Sequence, residues 1–413
     1  MRTIVIQYGR RRQYAVPAAL ARAGALERLY TDACAGRGLG RFAPLLAKVP
    51  GGGRARKLAA RRPPVEVLER THTFERWAFD VERALAARSS PEASGRALDR
   101  AHVRAGEEMI HAGFGHATHV LSMFGEGRRF LQVARARGLK VVSDVNVALS
   151  SEAIVVEAQR RHPDWEAPSL FWGETVAARD PSFRPSEAML TESDLFLCPS
   201  EFVRDDLVGA YGIALERTLL VPYAVNPLWF QLENTPVRGR ILFAGTAGLR
   251  KGVHVLAEAA EILFDRGCAY EFLMAGAATG VVRTHPGTRR LTFLGTLAFD
   301  HMRSLFETAD VFALPSLAEG SAGVTYEALG AGVPVVTTRA AGSVVRDGID
   351  GVITQEGNAQ ALADAIQSIV EDRIRRADMA LAARERAAEF TWDAFQGRLL
   401  QALIRSSEQP HAV

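Results

Sequence analysis

The sequence predicts an α/β protein made of two successive parallel-sheet units, and three observations carry that prediction. Short β-branched runs end in Gly, Pro or Ser and hand over to stretches of helical length, the order of strand, tight loop, helix, strand. The alternation starts twice, at Thr3-Ile4-Val5-Ile6-Gln7 and again at Arg240-Ile241-Leu242-Phe243-Ala244. Between the two, residues 226–239 are polar and contain Pro227, Asn234 and Pro236, which is linker composition. The expected division is therefore 1–225 and 226–394, each unit Rossmann-like, with a last helix over 395–413.

Composition narrows the class. A chain of 413 residues with 48% apolar and 23% charged residues has the make-up of a globular protein large enough for two cores. No run of 18 apolar residues appears, so no transmembrane helix is expected, and the apolar run at the N-terminus is too short for a signal peptide. Three isolated cysteines, Cys34, Cys198 and Cys268, suit a reducing cytoplasm better than a disulfide framework or a thiolate metal site. Net charge is +3 but uneven: residues 1–100 hold 20 Lys/Arg against 9 Asp/Glu. A basic first part suits an anionic partner there. Nucleic acid is not expected, because the basic run has no aromatic interleaving and no nucleic-acid motif.

In chain order, Thr3–Gln7 reads as a buried strand and Gly9 as the turn after it, followed by Arg10-Arg11-Arg12-Gln13-Tyr14 and a helix over Ala15–Ala23. A dinucleotide fingerprint needs G-x-G-x-x-G here and only Gly9 is present, which argues against an NAD dehydrogenase. The three arginines, Arg10, Arg11 and Arg12, read either as a solvated basic turn or as contacts to a bound ligand or its phosphates. Residues 36–64 contain GRGLG, PGGGRARK and RRPP, with Phe42, Leu45, Leu46 and Leu58 among them. That mixture suits an amphipathic element on an anionic membrane, or a surface loop with one ordinary helix. Residues 65–115 read as mainly helical around Trp77, Phe79 and Leu85. Strands return at His119–Phe124 and Leu139–Asp144, which puts Asp144 and Asn146 at a carboxyl strand end, where open parallel sheets bind ligands. A strand-end Asp capping the next segment is the plainer reading of Asp144. Residues 151–190 have irregular spacing with Trp165, Phe171 and Trp172, and no second metal ligand at helical spacing from a histidine. Asp194–Cys198 then passes through Pro199-Ser200 into a helix, and Leu219–Asn226 ends the first unit.

The second unit continues from Ala244 through Gly245-Thr246-Ala247-Gly248-Leu249-Arg250-Lys251-Gly252 into a helix from Val253. Cations at a helix start oppose its dipole, so a bound anion explains Arg250 and Lys251 better: a guanidinium pairs phosphate oxygens and an ammonium adds a mobile point charge. Strands follow at Glu271–Gly276, Leu291–Gly295 and Asp310–Leu314, and the loops after Gly276 and Gly295 are expected to wall a nucleotide base. The stretch that organises the chain is Pro315–Thr338, PSLAEGSAGVTYEALGAGVPVVTT. Its small-residue loop, Gly320, Ser321, Ala322 and Gly323, leaves the next helix start free of large side chains, so unpaired amides and the positive end of the dipole can point at an anion. Glu319 and Glu327 are eight residues apart, about 12 Å if every intervening residue is helical. Two such carboxylates bracket a diphosphate and accept hydrogen bonds from hydroxyls at both its ends, as a nucleotide-sugar site requires. Helices over Ala359–Val370 and Arg373–Ala388 close the unit, and Phe390–Phe395 begins the last helix.

Glu319-x7-Glu327, preceded by Pro315-Ser316 and followed by Ala328-Leu329-Gly330-Ala331-Gly332-Val333-Pro334-Val335-Val336, resembles the donor-site signature of retaining glycosyltransferases of the GT-B fold, the large group-one, glycogen-synthase-like class. The resemblance covers about residues 190–400 well and the earlier ones loosely. It implies two facing Rossmann-like domains, donor on the second and acceptor on the first, with a C-terminal helix crossing back to the first. It implies that Glu319 meets the transferred sugar, that Glu327 meets the nucleotide ribose, and that Lys251 holds the pyrophosphate. Thr246 fills the place of the usual Arg, so the guanidinium role passes to Arg250. Gly9 and Gly245 would lie against the donor diphosphate, and Asp144 would stand near the transferred sugar, where the class often has His. Ala224 and Asn226 depart from the usual Gly and Asp, and Ala224 takes a left-handed turn less cheaply.

The activity expected is hexosyl transfer from a nucleotide-diphosphate sugar to an acceptor hydroxyl with retention, in surface polysaccharide or glycolipid assembly. No Asp-x-Asp occurs, so neither metal nor cofactor is expected, and Lys251, Arg250 and the amides before Glu327 neutralise the leaving group. The acceptor expected is lipid-linked, a saccharide or a small molecule, and the protein is expected in the cytoplasm, with peripheral membrane contact through residues 36–64. An epimerase of the same fold and a noncatalytic nucleotide-sugar binder remain the alternatives.

Overall fold

The computed structural model describes residues 1–49, 53–77, 91–166 and 190–408; Phe79, Leu85, Phe171, Trp172 and residues 409–413 lie outside them. Two wholly parallel sheets form the frame. The first contains β1 Thr3–Ile6, β2 Leu26–Thr31, β3 Thr71–Thr73, β4 His119–Met123, β5 Lys140–Asp144, β6 Leu195–Cys198 and β7 Thr218–Leu220, in the order β3-β2-β1-β4-β5-β6-β7. The second contains β8 Arg240–Ala244, β9 Glu271–Ala275, β10 Leu291–Gly295, β11 Val311–Leu314, β12 Val335–Thr338 and β13 Gly351–Thr354, in the order β10-β9-β8-β11-β12-β13. Helices cover both faces of each sheet, so strands such as Val311–Leu314 and Val335–Thr338 are buried throughout, the first as an unbroken apolar run.

Strand order reverses between β1 and β4 in the first sheet and between β8 and β11 in the second. At such a point the loops leaving adjacent carboxyl ends diverge to opposite faces and open a crevice. Each sheet therefore has one place where its topology favours a ligand.

The last helix, Trp392–Glu408, leaves the second lobe and buries Phe395, Leu399, Ala402 and Leu403 in the first, against Tyr14, Leu20 and Leu29. Arg22 Nε donates to Gln396 Oε1 at 3.1 Å, and Ser407 Oγ lies 3.0 Å from His119 Nε2. These contacts tie the C-terminal helix to the first unit at its first helix and at β4, as the crossing-back expectation requires.

Three strands depart from the sequence reading. β2 carries Glu27-Arg28 at half-buried positions, so it lacks the apolar signature of an inner strand although it pairs with β1 along its length. β3 lies in the stretch expected to be helical, and β13 opens on Gly351. The residues expected as a polar linker are in fact packed. Trp229, in the turn Pro227–Gln231, is buried in the second lobe's core, and the Asn234 amide donates to the carbonyls of Phe306, Glu307 and Ala309. Ala224 avoids the left-handed region altogether.

Candidate active site

The crevice of the second sheet is built by two loops. After β8 the chain turns through Gly245, at φ 137°, and a short 3-10 turn Leu249–Lys251, then through Gly252, at φ 71°, into the helix Val253–Asp265. A Cβ at Gly252 would stand 1.9 Å from Pro315 O, so only glycine lets this loop approach the one after β11. The two loops are stitched by Leu317 N donating to Arg250 O at 2.8 Å. Glu319 is thereby set opposite two cations. Lys251 Nζ is 2.7 Å from its Oε1 and Arg250 Nη1 is 2.7 Å from its Oε2. Gly245 lies under the Lys251 stem, with Cε 2.8 Å from where a Cβ would be.

The helix carrying Glu327 runs only over Gly323–Gly330, so Glu319 sits in the loop four residues before it and the 12 Å helical estimate does not apply. No side chain caps this helix. The Ala322 amide is occupied by Ala341 O at 2.9 Å, which leaves the anion-facing role to the amides around it. Ser321 Oγ lies 3.1 Å from Tyr326 Oη and is turned toward the helix. Burial pushes the Glu327 carboxyl up to about 7. Gly295 ends the edge strand β10, two strands from the crevice, and joins the next loop by accepting from Gly276 N at 2.8 Å.

The first sheet's crevice is occupied by the loop after β1, and neighbouring strand ends hold it. Gly9 N donates to Asp32 Oδ1 at 2.8 Å and Tyr8 N to Glu126 Oε2 at 2.9 Å. Arg12 reaches both oxygens of Asp144, at 2.8 and 3.0 Å, and donates to Tyr223 Oη at 2.8 Å. Burial alone would lower the Arg12 pKa, but the charge of Asp144 and the contact with Tyr223 outweigh it and hold the guanidinium firmly protonated. Asp144 is thus an anchor for Arg12 with both oxygens engaged. The loop is strained as well: Arg12, Gln13 and Tyr14 have φ of 46°, 53° and 64°, three successive side-chain-bearing residues in the left-handed region.

The lobes meet on the 319–323 loop. Ser200, which caps the helix Glu201–Tyr211, donates from Oγ to Gly320 O at 2.5 Å. A Cβ at Gly320 would lie 1.7 Å from Asn146 O, and one at Gly342 would lie 2.8 Å from Ser200 Oγ. Two glycines of the second lobe therefore make room for first-lobe atoms. Tyr223 stacks on Tyr326 with centroids 6.5 Å apart, and Glu166 Oε1 accepts from Leu249 N at 2.6 Å.

The structure thus gathers Glu319, Arg250, Lys251, Gly245 and the 320–323 loop at one crevice, with Glu327 on the helix behind them. Gly9 and Asp144 belong to the other lobe's crevice. Sequence reasoning did not single out Glu126, Glu166 or Tyr326. Glu126 stands between Gly125 and Gly127 just after a strand, the kind of strand-end acid that topology brings to a crevice, and burial pushes its carboxyl up to about 8.

A family profile described as glycosyl transferases group 1 matches residues 238–372, the sheet and helices that hold the cation pair and both glutamates. Over these residues the chain is similar to the group 1 glycosyltransferases. Over 330 residues it is 26% identical to the D-inositol 3-phosphate glycosyltransferase of Xylanimonas cellulosilytica, spanning 70% of this chain and 78% of that one. It is 27% identical to the glycogen synthase of Mycobacterium tuberculosis over 54% of this chain and 57% of the other. Other inositol-phosphate relatives are spanned over only 44% to 64% of their own length. Among solved structures, Anabaena HepE in complex with UDP has TM-score 0.60 at 16% identity, covering 98% of this chain and all of that one. Sucrose-phosphate synthase from Thermosynechococcus elongatus has TM-score 0.63 at 18% identity, covering 98% and 99%. These neighbours carry the GT-B arrangement of two Rossmann-like lobes along the whole of this chain.

Proposed function

We propose that this glycosyltransferase moves a sugar from a nucleoside-diphosphate sugar to an acceptor hydroxyl with retention of anomeric configuration and without a metal. The observation that carries the reading is the Glu319–Lys251–Arg250 cluster at the second sheet's crevice, next to an uncapped helix start. A diphosphate entering there takes over the two cations, and Glu319, released from them, accepts hydrogen bonds from the sugar. Glu327 accepts from the ribose, Ser321 and the amides of Gly320 and Gly323 meet phosphate oxygens, and the loops after Gly276 and Gly295 wall the base. Gly9 borders the diphosphate from the first lobe. A related fold binds UDP and UDP-glucose, which supports a uridine nucleotide as the first donor to try.

In the transfer step the acceptor oxygen bonds to the anomeric carbon as the bond to the leaving phosphate oxygen breaks. The acceptor proton passes to that departing oxygen. The two near acids are poor covalent nucleophiles, since Glu319 is engaged by the sugar's hydroxyls and Asp144 is gripped by Arg12, so attack comes from the face the leaving group vacates. Among the described residues no acid or histidine cluster could hold a metal, and Lys251, Arg250 and helix amides carry the charge of the leaving group. Asp144 acts through Arg12 to shape the loop after β1.

The acceptor we propose is anionic or lipid-linked, used in surface polysaccharide or glycolipid assembly at the inner membrane face. The excess of cations in residues 1–100 and relatives named for an inositol phosphate support it. Among the described residues no helix is long and apolar enough to cross a membrane. A thermal-shift panel of nucleotide sugars tests the donor half, because a donor at about 100 times its Kd adds about 2.7 kcal/mol of stability. Glu327→Ala and Lys251→Ala are expected to abolish the shift. Variants that respond like the parent would remove the donor assignment.

A further inference from the structure

Residues 33–65 contain eight Lys/Arg and no Asp or Glu. Within them a 3-10 turn Gly38–Phe42 and two short helices, Ala43–Leu46 and Gly53–Ala59, form a projection from the first lobe. Five large apolar side chains on it, Leu39, Phe42, Leu45, Leu46 and Val49, are 47% to 71% exposed. Eleven consecutive positions thus hold five of the exposed large apolar residues found in the described chain. Scattered exposed leucines need no explanation, but a dense group of them does.

The base of the projection is fixed while its tip is free of core packing. Arg37 Nε donates to Leu68 O at 2.8 Å, Ala35 N to Arg61 O at 2.9 Å, and Arg61 Nη1 to Asp32 Oδ2 at 2.9 Å. Arg10 Nη1 donates to Ala60 O at 3.0 Å. The base is therefore tied to the loop after β1, at the carboxyl edge of the first sheet. Toward the tip, Arg41, Lys48, Arg56 and Lys57 are exposed beside the apolar group, and Arg41 lies 4.8 Å over the Phe42 ring.

The charged residues of 38–49 and 53–59 are all cations, while Glu75 at the base accepts from Leu39 N through Oε1; that excess of cations decides the occupant. A protein interface of this size mixes charges at its edge, whereas a surface of uniform negative charge is matched by cations alone. An anionic bilayer also accepts the leucines, which enter the acyl boundary while long basic side chains stay at the phosphates. We propose that the projection formed by residues 38–49 and 53–59 docks peripherally on an anionic lipid bilayer. Docking there brings bilayer-borne hydroxyls to the first sheet's crevice. In that respect it deepens the acceptor reading, while the docking itself does not depend on the donor reading.

The test is co-sedimentation of the full chain with phosphatidylcholine vesicles, with and without about 30 mol% phosphatidylglycerol. Binding is expected only with phosphatidylglycerol and is expected to weaken at high salt. The double variant Leu45→Ser, Leu46→Ser should lower partitioning at least about tenfold. Ile374→Ser, at an exposed apolar residue of the second lobe, should leave it unchanged. Absent binding to the anionic vesicles, equal binding of the double variant, or an equal loss in Ile374→Ser would each overturn the proposal. A thermal shift with UDP on the same preparations reports folding and separates the readings. Vesicle binding without a nucleotide shift removes the donor reading alone, and a nucleotide shift without vesicle binding removes this one alone.

Discussion

Lys251 and Glu319 face each other across the crevice where the second sheet reverses its strand order, Nζ to Oε1 at 2.7 Å, each side chain only 12% exposed. Arg250 closes on the other carboxylate oxygen from a more exposed position. The pair holds the cations in place before a ligand arrives, which lowers the ordering cost of binding, and it makes the carboxylate a competitor for them.

That competition sets the behaviour of Glu319→Gln. Removing the charge releases Lys251 and Arg250, so UDP is expected to bind at least as tightly as to the parent. UDP-glucose loses a charged acceptor at its sugar, and turnover is expected to fall roughly a hundredfold. Calorimetric titration of the one variant with both ligands reads the difference. Equal weakening of both would assign Glu319 a structural role.

Glu327 makes binding depend on pH. Burial holds its carboxyl up to about 7, above the ordinary 4.5. The ionised form accepts hydrogen bonds from two hydroxyls, so nucleotide affinity should rise between pH 6 and 8, with proton release below pH 7. Stability runs the other way. A carboxyl whose folded pKa is raised contributes fully below the unfolded value and loses that contribution as pH rises through the folded one, about 3 kcal/mol here. Glu327→Gln should flatten both profiles, read by calorimetry and by denaturant unfolding across the same pH range. A parent-like pH profile in the variant would remove Glu327 from the account.

Most of this site was legible in the chain because one stretch, Pro315–Thr338, carries the loop, the helix start and both acids in consecutive residues. Arg250 and Lys251 were legible too, since cations at a helix start call for an anion. The first lobe was harder. Glu126, Asp32 and Asp144 lie at three different strand ends, and only the strand order brings them to one loop. Strand β2 hid because its Glu27 and Arg28 break the apolar run expected of a central strand. Residues 226–239 do run between the two sheets, but their composition hid that they are packed: Asn234 is polar and still structural, with its amide serving three carbonyls.

Gly320 tests how the lobes work together. Its missing Cβ leaves room for Asn146 O, and Ser200 Oγ holds its carbonyl. In Gly320→Ala the loop or the lobe contact must shift, since the obstacle is backbone and cannot rotate away. Nucleotide affinity, which the second lobe supplies, is expected to change by only a few fold, and transfer to drop by about a hundredfold. Gly209→Ala, at a helical position with nothing within 4 Å, is the control and should leave both unchanged. Parent-like transfer in Gly320→Ala would show that this contact is dispensable.

The strained turn gives the last prediction. Arg12, Gln13 and Tyr14 share the left-handed region, but only two of them gain from it. Arg12 engages Asp144 and Tyr223, and the Tyr14 ring is fully buried, whereas Gln13 is exposed. Left-handed geometry costs a side-chain-bearing residue roughly 1–2 kcal/mol. Glycine removes that cost and adds about 0.5–1 kcal/mol of unfolded-chain entropy. Gln13→Gly is therefore expected to stabilise the protein by about 0.5–1 kcal/mol, read as a higher denaturant midpoint at unchanged slope. Arg12→Ala goes the other way, because it leaves Asp144 buried without its partner, a loss of about 3–5 kcal/mol for a pair of this kind. If Gln13→Gly destabilises the chain, the turn is held by the Gln13 side chain, and the assignment of the strain to Arg12 and Tyr14 falls.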